Sequence, residues 1–182
     1  MQHWLVLFGL TLSSMSFAAE QQNKWEATST FSALLVTPLF STNTYDKALA
    51  AWGVEMTGSI PLSQVMDNQL ALEIGAGTTL ARLTVSQPAT SFTHWFLFFP
   101  VRLRLLFPLT DPWGLEVSLG ALVRPWEYDS RDTIDGGFHR VTQTNTIEPD
   151  FNVGVLYRAS ESVSWRLRAG YMFLGAGAQF EL

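Results

Sequence analysis

Apolar and polar residues alternate one by one along most of the chain after residue 25. Around the middle of the chain, Val101 and Leu103 fall on one face of an extended strand, whereas Arg102 and Arg104 fall on the other. Successive side chains of a strand point to opposite faces, so this pattern predicts strands with one apolar and one charged face. Because the pattern recurs to the last residue, the sequence predicts an all-β fold.

Eight strands are predicted, over residues 25–37, 50–60, 69–82, 93–107, 113–124, 147–158, 162–170 and 175–182. Around Arg168 the polar side chains are on even-numbered residues, whereas around Gln179 they are on odd-numbered residues. A two-residue hairpin loop produces such a change, so a turn is predicted between Gly170 and Gly175; a bulge within one longer strand is the alternative. Pro100 lies on the polar face of the fourth strand and cannot donate to the ladder, which predicts a bulge there.

The predicted connections differ in length at the two ends of the strands. Residues 61–68, 108–112 and the segment near Ala159 are predicted to be short turns. Longer loops are predicted near Ser41, Pro88 and Asp132, and the longest polar stretch, residues 126–146, is assigned to one of them. Short turns on the periplasmic side and longer loops outside are typical of bacterial membrane barrels.

The first eighteen residues have the pattern of a signal peptide. An apolar core runs from Trp4 to Leu12, and Ser16 and Ala18 are small residues at the positions that a signal peptidase reads. The run is interrupted by hydroxyl residues and is shorter than the roughly 20 residues of a spanning helix. We therefore predict cleavage near Ala18 or Ala19 and one barrel domain over residues 19–182.

Three features favour a membrane barrel over a soluble barrel with an apolar lumen. The polar face carries many glycines, which suit a narrow lumen. Acidic and basic residues nearly balance on that face, as confined charges require. The apolar face carries tryptophans near strand ends, where an interfacial girdle would lie: Trp25, Trp52, Trp95, Trp113 and Trp165. The predicted fold class is an eight-stranded antiparallel up-and-down transmembrane β-barrel.

Two stretches of the sequence resemble small outer-membrane β-barrel proteins of the OmpA/OmpX-like group. These are residues 94–107, a strand with an internal proline, and the glycine-containing strand of residues 113–121. The C-terminal residues 179–182 are similar to the barrel-assembly signal, although Leu182 stands where an aromatic residue is usual and Phe180 is two residues earlier. The resemblance implies an outer-membrane location in a Gram-negative bacterium and contact with the barrel-assembly machinery through Phe180 and Leu182.

The polar face supplies the main candidate site, a network of charges in the lumen. Its predicted members are Glu26, Glu55, Glu73, Arg102, Arg104, Glu116, Arg124, Glu148, Asp150, Arg158, Arg166 and Arg168. The network is interpreted as a structural plug of paired charges that fills the lumen. A gated ion path along the arginines is the alternative.

Few residues outside the lumen are candidates for catalysis or for ligand binding. Ser91 and His94 are three residues apart, a spacing that does not place them on one strand face, so no catalytic residues are assigned. The longest loop contains an acidic group with one histidine, a possible ligand site, formed by Asp129, Asp132, Asp135 and His139. Its spacing does not fit an EF-hand loop, and no metal or cofactor is predicted.

The amino-acid composition limits the classes of partner and chemistry that are expected. The net charge of −5 and the absence of a basic patch argue against nucleic-acid binding, and the absence of cysteine excludes thiol chemistry. We expect a monomer surrounded by outer-membrane lipid and lipopolysaccharide. Its expected role is structural or in surface interaction through its extracellular loops, with a lipid-A-modifying enzyme or a small gated pore as alternatives.

Overall fold

The computed structural model describes residues 28–38, 47–65, 68–85, 90–132 and 138–182. Residues 1–18, the predicted signal peptide, lie outside this part. The strands are β1 Thr30–Pro38, β2 Lys47–Val65, β3 Asn68–Val85, β4 Thr90–Thr110, β5 Trp113–Asp132, β6 Phe138–Arg158, β7 Val163–Gly170 and β8 Phe173–Glu181. Within the described residues, no helix is long and apolar enough to cross a membrane.

The strands form one closed barrel in chain order. Each strand pairs antiparallel with the next, and β1 closes the barrel by pairing with β8, for example through Phe31 and Phe180. The two faces of each strand separate as the alternation requires. On β7, Leu167 is 62% exposed, whereas its neighbours Arg166 and Arg168 are buried. The barrel therefore carries its charges inside and its apolar side chains outside, which is the reverse of a soluble barrel.

Strand length varies strongly around the barrel. β4 and β6 have 21 residues each, whereas β7 has 8 and β1 and β8 have 9. In the described part of the chain, β7 pairs with β6 only from Asn152 to Arg158. Residues 138–151, the first two thirds of β6, therefore have a neighbouring strand on the β5 side alone. The end of the barrel at which β6 begins is called the upper end. The upper ends of β2 to β6 thus form a projecting sheet of residues 47–52, 80–85, 90–95, 128–132 and 138–141.

The prediction of a loop over residues 126–146 was wrong, because most of this stretch extends β5 and β6. Trp126 pairs with Gln143, and the ladder continues to Arg131 and Phe138. A register shift separates Arg124 from Trp126 in this pairing. The stretch lacks apolar alternation, so hydrophobic periodicity does not reveal its strands.

The predicted turn over residues 61–68 was also too long, since β2 continues to Val65 and β3 begins at Asn68. The turn between Gly170 and Gly175 is confirmed. β7 ends at Gly170 and β8 begins at Phe173, which leaves a two-residue connection. This turn accounts for the change of phase that the sequence shows there.

The irregularity that was predicted at Pro100 lies one to three residues closer to the start of β4. Pro100 itself pairs with Leu122, and the irregularity of the β4–β5 pairing falls between Leu97 and Phe99. Two residues of β5, Arg124 and Pro125, lie opposite the single β4 residue Phe98, so this second proline is part of the irregular segment. The ladder therefore accommodates the missing N–H groups of both prolines within a few residues.

Candidate functional site

Long charged side chains fill the middle of the barrel interior. Two strands supply the cations, β4 with two arginines and β7 with two. The central ion network consists of Glu55, Glu73, Arg102, Arg104, Glu116, Asp150, Arg166 and Arg168, all of them buried. Four guanidinium groups face four carboxylates, so the formal charges cancel. Buried charges are stable in a protein only when they are paired in this way.

Arg102 is the hub of the network. Its Nη1 donates to Glu55 at 2.8 Å and to Glu73 at 2.9 Å, and its Nε donates to Asp150 at 2.5 Å. The three carboxylates lie on β2, β3 and β6. One guanidinium on β4 therefore connects four strands through the lumen, and two of these contacts cross the barrel instead of following the ladder.

The two arginines of β7 complete the network from the opposite wall. Arg168 forms two parallel hydrogen bonds with Glu55, at 2.6 and 2.8 Å. Arg166 reaches Glu116 from Nε at 2.7 Å and Glu73 from Nη1 at 2.8 Å. Planar guanidinium groups suit such two-pronged contacts, which explains why arginine and not lysine occupies these positions.

Arg104 is the least compensated cation of the network. Its Nη1 donates to Gln179 at 2.7 Å, but the nearest carboxylate oxygens, on Glu73 and Glu116, are 3.8 and 3.9 Å away. Its Nε makes no hydrogen bond within the described part of the chain. Arg104 therefore holds a buried charge with weaker pairing than the other three arginines.

Glycines lie directly across the ladder from the long side chains. Arg102 is paired with Gly120, Arg166 with Gly177, and Arg168 with Gly154. A Cβ atom at Gly154 would lie 2.6 Å from the Oε1 atom of Glu116. The inward-facing glycines thus supply the space that the guanidinium and carboxylate groups occupy in a narrow barrel.

An apolar layer lies above the central ion network, on the side of the projecting sheet. It consists of Leu34, Val36, Phe96, Phe98, Leu122 and Phe173, with Met172 packed against it. The rings of Phe98 and Phe173 are stacked with their centroids 4.9 Å apart. This layer was not predicted, although Phe96 and Phe98 share the even parity of Arg102. That parity was the available signal.

A second ion group lies above the apolar layer, on the β5–β6 wall. Arg124 pairs with Glu127 at 3.0 Å and also with Glu148, and its guanidinium carbon lies 5.2 Å from the ring centroid of Phe96. At the opposite end of the barrel, Arg158 pairs with Glu181 at 3.4 Å. Glu127 and Glu181 were not among the predicted charges, because Glu127 was assigned to a loop and Glu181 to the C-terminal signal.

The predicted lumen charges are thus divided among three levels of the barrel. The central ion network takes eight of them, Arg124 and Glu148 lie above the apolar layer, and Arg158 lies near the turn end. Glu26 lies outside the described residues. The arrangement can fill the lumen and fix the strand register, but it leaves Arg124 and its partners separated from the central charges by the apolar layer.

Three residues of the predicted loop ligand site fall on the hairpin formed by β5 and β6. Asp129 and Asp132 belong to β5 and His139 to β6, while Asp135 lies outside the described residues. In the ladder, Asp129 is opposite Arg140, and His139 is opposite Ser130. Among the described residues, no three acidic or histidine side chains are placed to hold a metal ion.

Comparison with solved structures supports the architecture. The fold is similar to that of a de novo designed transmembrane β-barrel, with a TM-score of 0.52 and 16% identity over 88% of this chain and 98% of the other. Neisserial surface protein A has a TM-score of 0.49 and 15% identity over 85% of this chain and 96% of the other. Ail of Yersinia pestis, in complex with sucrose octasulfate, has a TM-score of 0.43 and 12% identity over 84% of this chain and 97% of the other. No family model and no curated protein matches the sequence.

The likeness to the designed barrel bears on the fold alone, since the sequence identity is low. The resemblance to small outer-membrane barrels is confirmed at that level, because the chain closes eight antiparallel strands into a barrel with polar residues inside. The chain has the fold of a small eight-stranded transmembrane β-barrel.

Proposed function

We propose that this chain is an outer-membrane protein of a Gram-negative bacterium, inserted after cleavage of its signal peptide, with a closed lumen and a role in surface interaction. The observation that carries the proposal is the unequal height of the barrel wall. The described parts of β2 to β6 extend well beyond β7 and β8, and in the proposed orientation this sheet lies beyond the membrane.

The outer surface supports membrane insertion. Its central positions are occupied by exposed apolar side chains, such as Leu35, Leu119 and Leu167, whose exposed fractions exceed 60%. An exposed continuous apolar surface is unfavourable in water but favourable in lipid. Aromatic residues lie towards both ends of this surface, with Trp113 and Tyr157 in contact at one end and Trp95 opposite Tyr128 at the other.

The interior supports a closed lumen. The central ion network fills the barrel with paired charges, and six buried apolar side chains lie together above it. Apolar constrictions oppose ion passage by excluding water. These two layers favour the structural plug over the gated ion path.

The projecting sheet supports a role at the cell surface. It has an open edge, because the described residues of β6 above Asn152 have no neighbouring strand on the β7 side. Unpaired N–H and C=O groups along such an edge can hydrogen-bond to an extended segment of another molecule. We propose two further partners. Lipopolysaccharide surrounds the barrel, and the assembly machinery contacts the exposed side chains of Phe180 and Leu182.

Fractionation, gel migration and conductance test the proposal together. The mature protein is expected in outer-membrane fractions, and its migration on SDS gels should shift between unheated and boiled samples. A peptide tag inserted into the connection between β5 and β6 should be accessible to its antibody on intact cells. Purified protein in planar bilayers should give no conductance steps under conditions in which a porin control conducts. Regular steps would support the gated pore instead.

A further inference from the structure

The β7–β8 hairpin closes the barrel through two seams, one with β6 and one with β1. At the seam with β1, residues 175–178 of β8 have the repeating sequence Gly-Ala-Gly-Ala. Strands that are rich in glycine specify their register weakly, because neighbouring positions on one face are alike. The side chains of this seam therefore contribute little to the choice of register.

The repeat permits a slip of the hairpin in one direction. A slip by one residue would turn the arginines of β7 towards lipid and is excluded. A slip by two residues towards the turn end, opposite the upper end, places Gly175 where Gly177 is, and opposite changes at the two seams keep the total stagger of the barrel. The reverse slip would place Gln179 at the position of Gly177, where a Cβ atom would lie 1.9 Å from the carbonyl oxygen of Ala33. Only the slip towards the turn end is sterically available.

Arg166 opposes this slip through its charge. In the observed register, its Nε lies 2.7 Å from Glu116 and its Nη1 lies 2.8 Å from Glu73. The slip would move Arg166 to the position of Ser164, which is opposite Arg158 in the ladder. Like charges that are directly opposite each other in a sheet are destabilising. Arg166 would therefore exchange two carboxylates for a neighbouring cation.

Arg168 would take the position of Arg166 after the slip, and its guanidinium would face the same two carboxylates. Its present partner Glu55 would keep Arg102, which lies at 2.8 and 3.0 Å from the two carboxylate oxygens. Every carboxylate of the central ion network would thus still have an arginine. The chain therefore has a second register in which, among the arginines of the network, only Arg166 loses its carboxylates.

We infer that Arg166 selects the register in which the β7–β8 hairpin closes the barrel. When its charge is removed, the hairpin can move by two residues towards the turn end, and Arg168 replaces Arg166 in front of Glu116. The register of the β8–β1 seam is thus determined across the lumen, by a residue of β7 that belongs to neither strand of the seam. This inference depends on the barrel fold and not on the proposed role at the cell surface.

Disulfide formation between introduced cysteines measures the register, since the chain contains no cysteine. Ala33→Cys with Ala178→Cys reports the observed register, in which these residues are opposite each other. Ala33→Cys with Ala176→Cys reports the slipped register. Opposite residues have Cα atoms about 5.5 Å apart, which suits a disulfide, whereas diagonal residues are ~7–8 Å apart, which is too far.

The mature chain is refolded into phospholipid vesicles and oxidised, and the disulfide is quantified in the folded band of unheated SDS gels. Arg166→Gln should raise the yield of the slipped disulfide, relative to that of the observed register, by about tenfold. Arg168→Gln is the matched control. It removes an equal charge from the same hairpin but leaves Arg166 to oppose the slip, so its ratio should stay within about twofold of the wild-type ratio.

A second change tests the direction of the slip. Gly175→Ala is tolerated in the observed register, where the nearest atom to its Cβ position is 3.4 Å away. In the slipped register, the same Cβ atom would occupy the position of Gly177 and would approach the backbone of β1. Adding Gly175→Ala to Arg166→Gln should therefore return the disulfide ratio to its wild-type value.

Three outcomes would overturn the inference. These are a wild-type ratio in Arg166→Gln, an equal rise in Arg168→Gln, which would show a general loosening of the hairpin, and a slipped disulfide that persists after Gly175→Ala is added. If Arg166→Gln gives no folded band, Arg158→Gln replaces it, with the four arginines of the central ion network in place. It removes the like charge that the slip brings opposite Arg166, so the slipped disulfide should exceed its wild-type yield. An unchanged yield would contradict the inference.

Discussion

Arg168 and Glu55 face each other across the lumen in a two-pronged ion pair, with Nη1 2.6 Å from Oε1 and Nη2 2.8 Å from Oε2. Both side chains are excluded from solvent. Arg102 reaches the same two oxygens from β4, at 2.8 and 3.0 Å. Glu55 on β2 therefore sits between two guanidinium groups, and the walls of the barrel at β4 and β7 are joined through a single carboxylate.

Neutralising that carboxylate is expected to destabilise the barrel. Glu55→Gln keeps the shape of the side chain but leaves Arg102 and Arg168 without their shared counter-charge, and removing one partner of a buried pair costs about 3–5 kcal/mol. Urea unfolding in phospholipid vesicles, followed by tryptophan fluorescence, measures this change. Glu161→Gln, in the exposed turn before β7, is the control and should stay within about 0.5 kcal/mol of wild type. Equal midpoints for the two variants would contradict the role of Glu55.

The arginines of β4 are expected to differ in their contributions to stability. Arg102→Ala leaves Glu55, Glu73 and Asp150 short of a partner, so we expect a loss of about 3–5 kcal/mol. Arg104→Ala removes one close hydrogen bond, to Gln179, and only longer contacts with Glu73 and Glu116, which keep Arg166 as a partner, so its cost should be smaller, about 1–2 kcal/mol. Parallel urea titrations rank the two variants. An Arg104→Ala barrel less stable than Arg102→Ala would show that distance to the carboxylates does not determine the contribution.

The contact between Gly77 and Phe98 is expected to limit substitution at residue 77. A Cβ atom there would lie 2.2 Å from the ring of Phe98, which is stacked on Phe173. Gly77→Ala should therefore cost about 1–3 kcal/mol through overpacking. Gly58→Ala is the matched control, because nothing lies within 4 Å of its Cβ position. A second change, Phe98→Leu, should recover part of the loss in Gly77→Ala; no recovery would place the strain elsewhere.

The top of the β5–β6 hairpin is expected to be dispensable for folding. Tyr128 and Val141 are partners in the ladder, so a two-residue Asn-Gly turn can replace residues 129–140 and join them. The central ion network and the apolar layer lie below this rung and keep their contacts. The shortened protein should still show the heat-dependent shift on SDS gels. Loss of the shift would mean that the projecting sheet is needed to close the barrel.

Much of the fold follows from the order of residues within single strands. The alternation of Arg102 and Arg104 with Val101 and Leu103 indicated which side chains face the lumen, and the phase change before Gln179 indicated the last turn. The failures lie where the alternation is missing. β5 and β6 continue past Trp126 through polar residues, because the backbone hydrogen bonds of the ladder maintain strands that need no apolar face in water.

The sequence predicts which side chains of the site face the lumen, but it does not predict which of them are in contact. Residue parity places Arg102, Glu55 and Phe98 in the lumen, but it does not show that Arg102 meets Glu55 or that Phe98 covers Gly77. Those contacts depend on the register of strands far apart in sequence and on closure through β1 and β8. The signal peptide and the loop ligand site remain predictions, because they depend on residues outside the described part of the chain.

The sequence by itself therefore determined the strand type and the inward and outward faces, with the charged residues on the inward face. Tertiary structure alone decided the pairing of Arg168 with Glu55, the division of the lumen into charged and apolar levels, and the unequal height of the wall. The physical reason is that alternation is a property of one strand, with a period of two residues. Register and height are properties of the closed barrel, in which each strand is positioned by hydrogen bonds and packing from both of its neighbours.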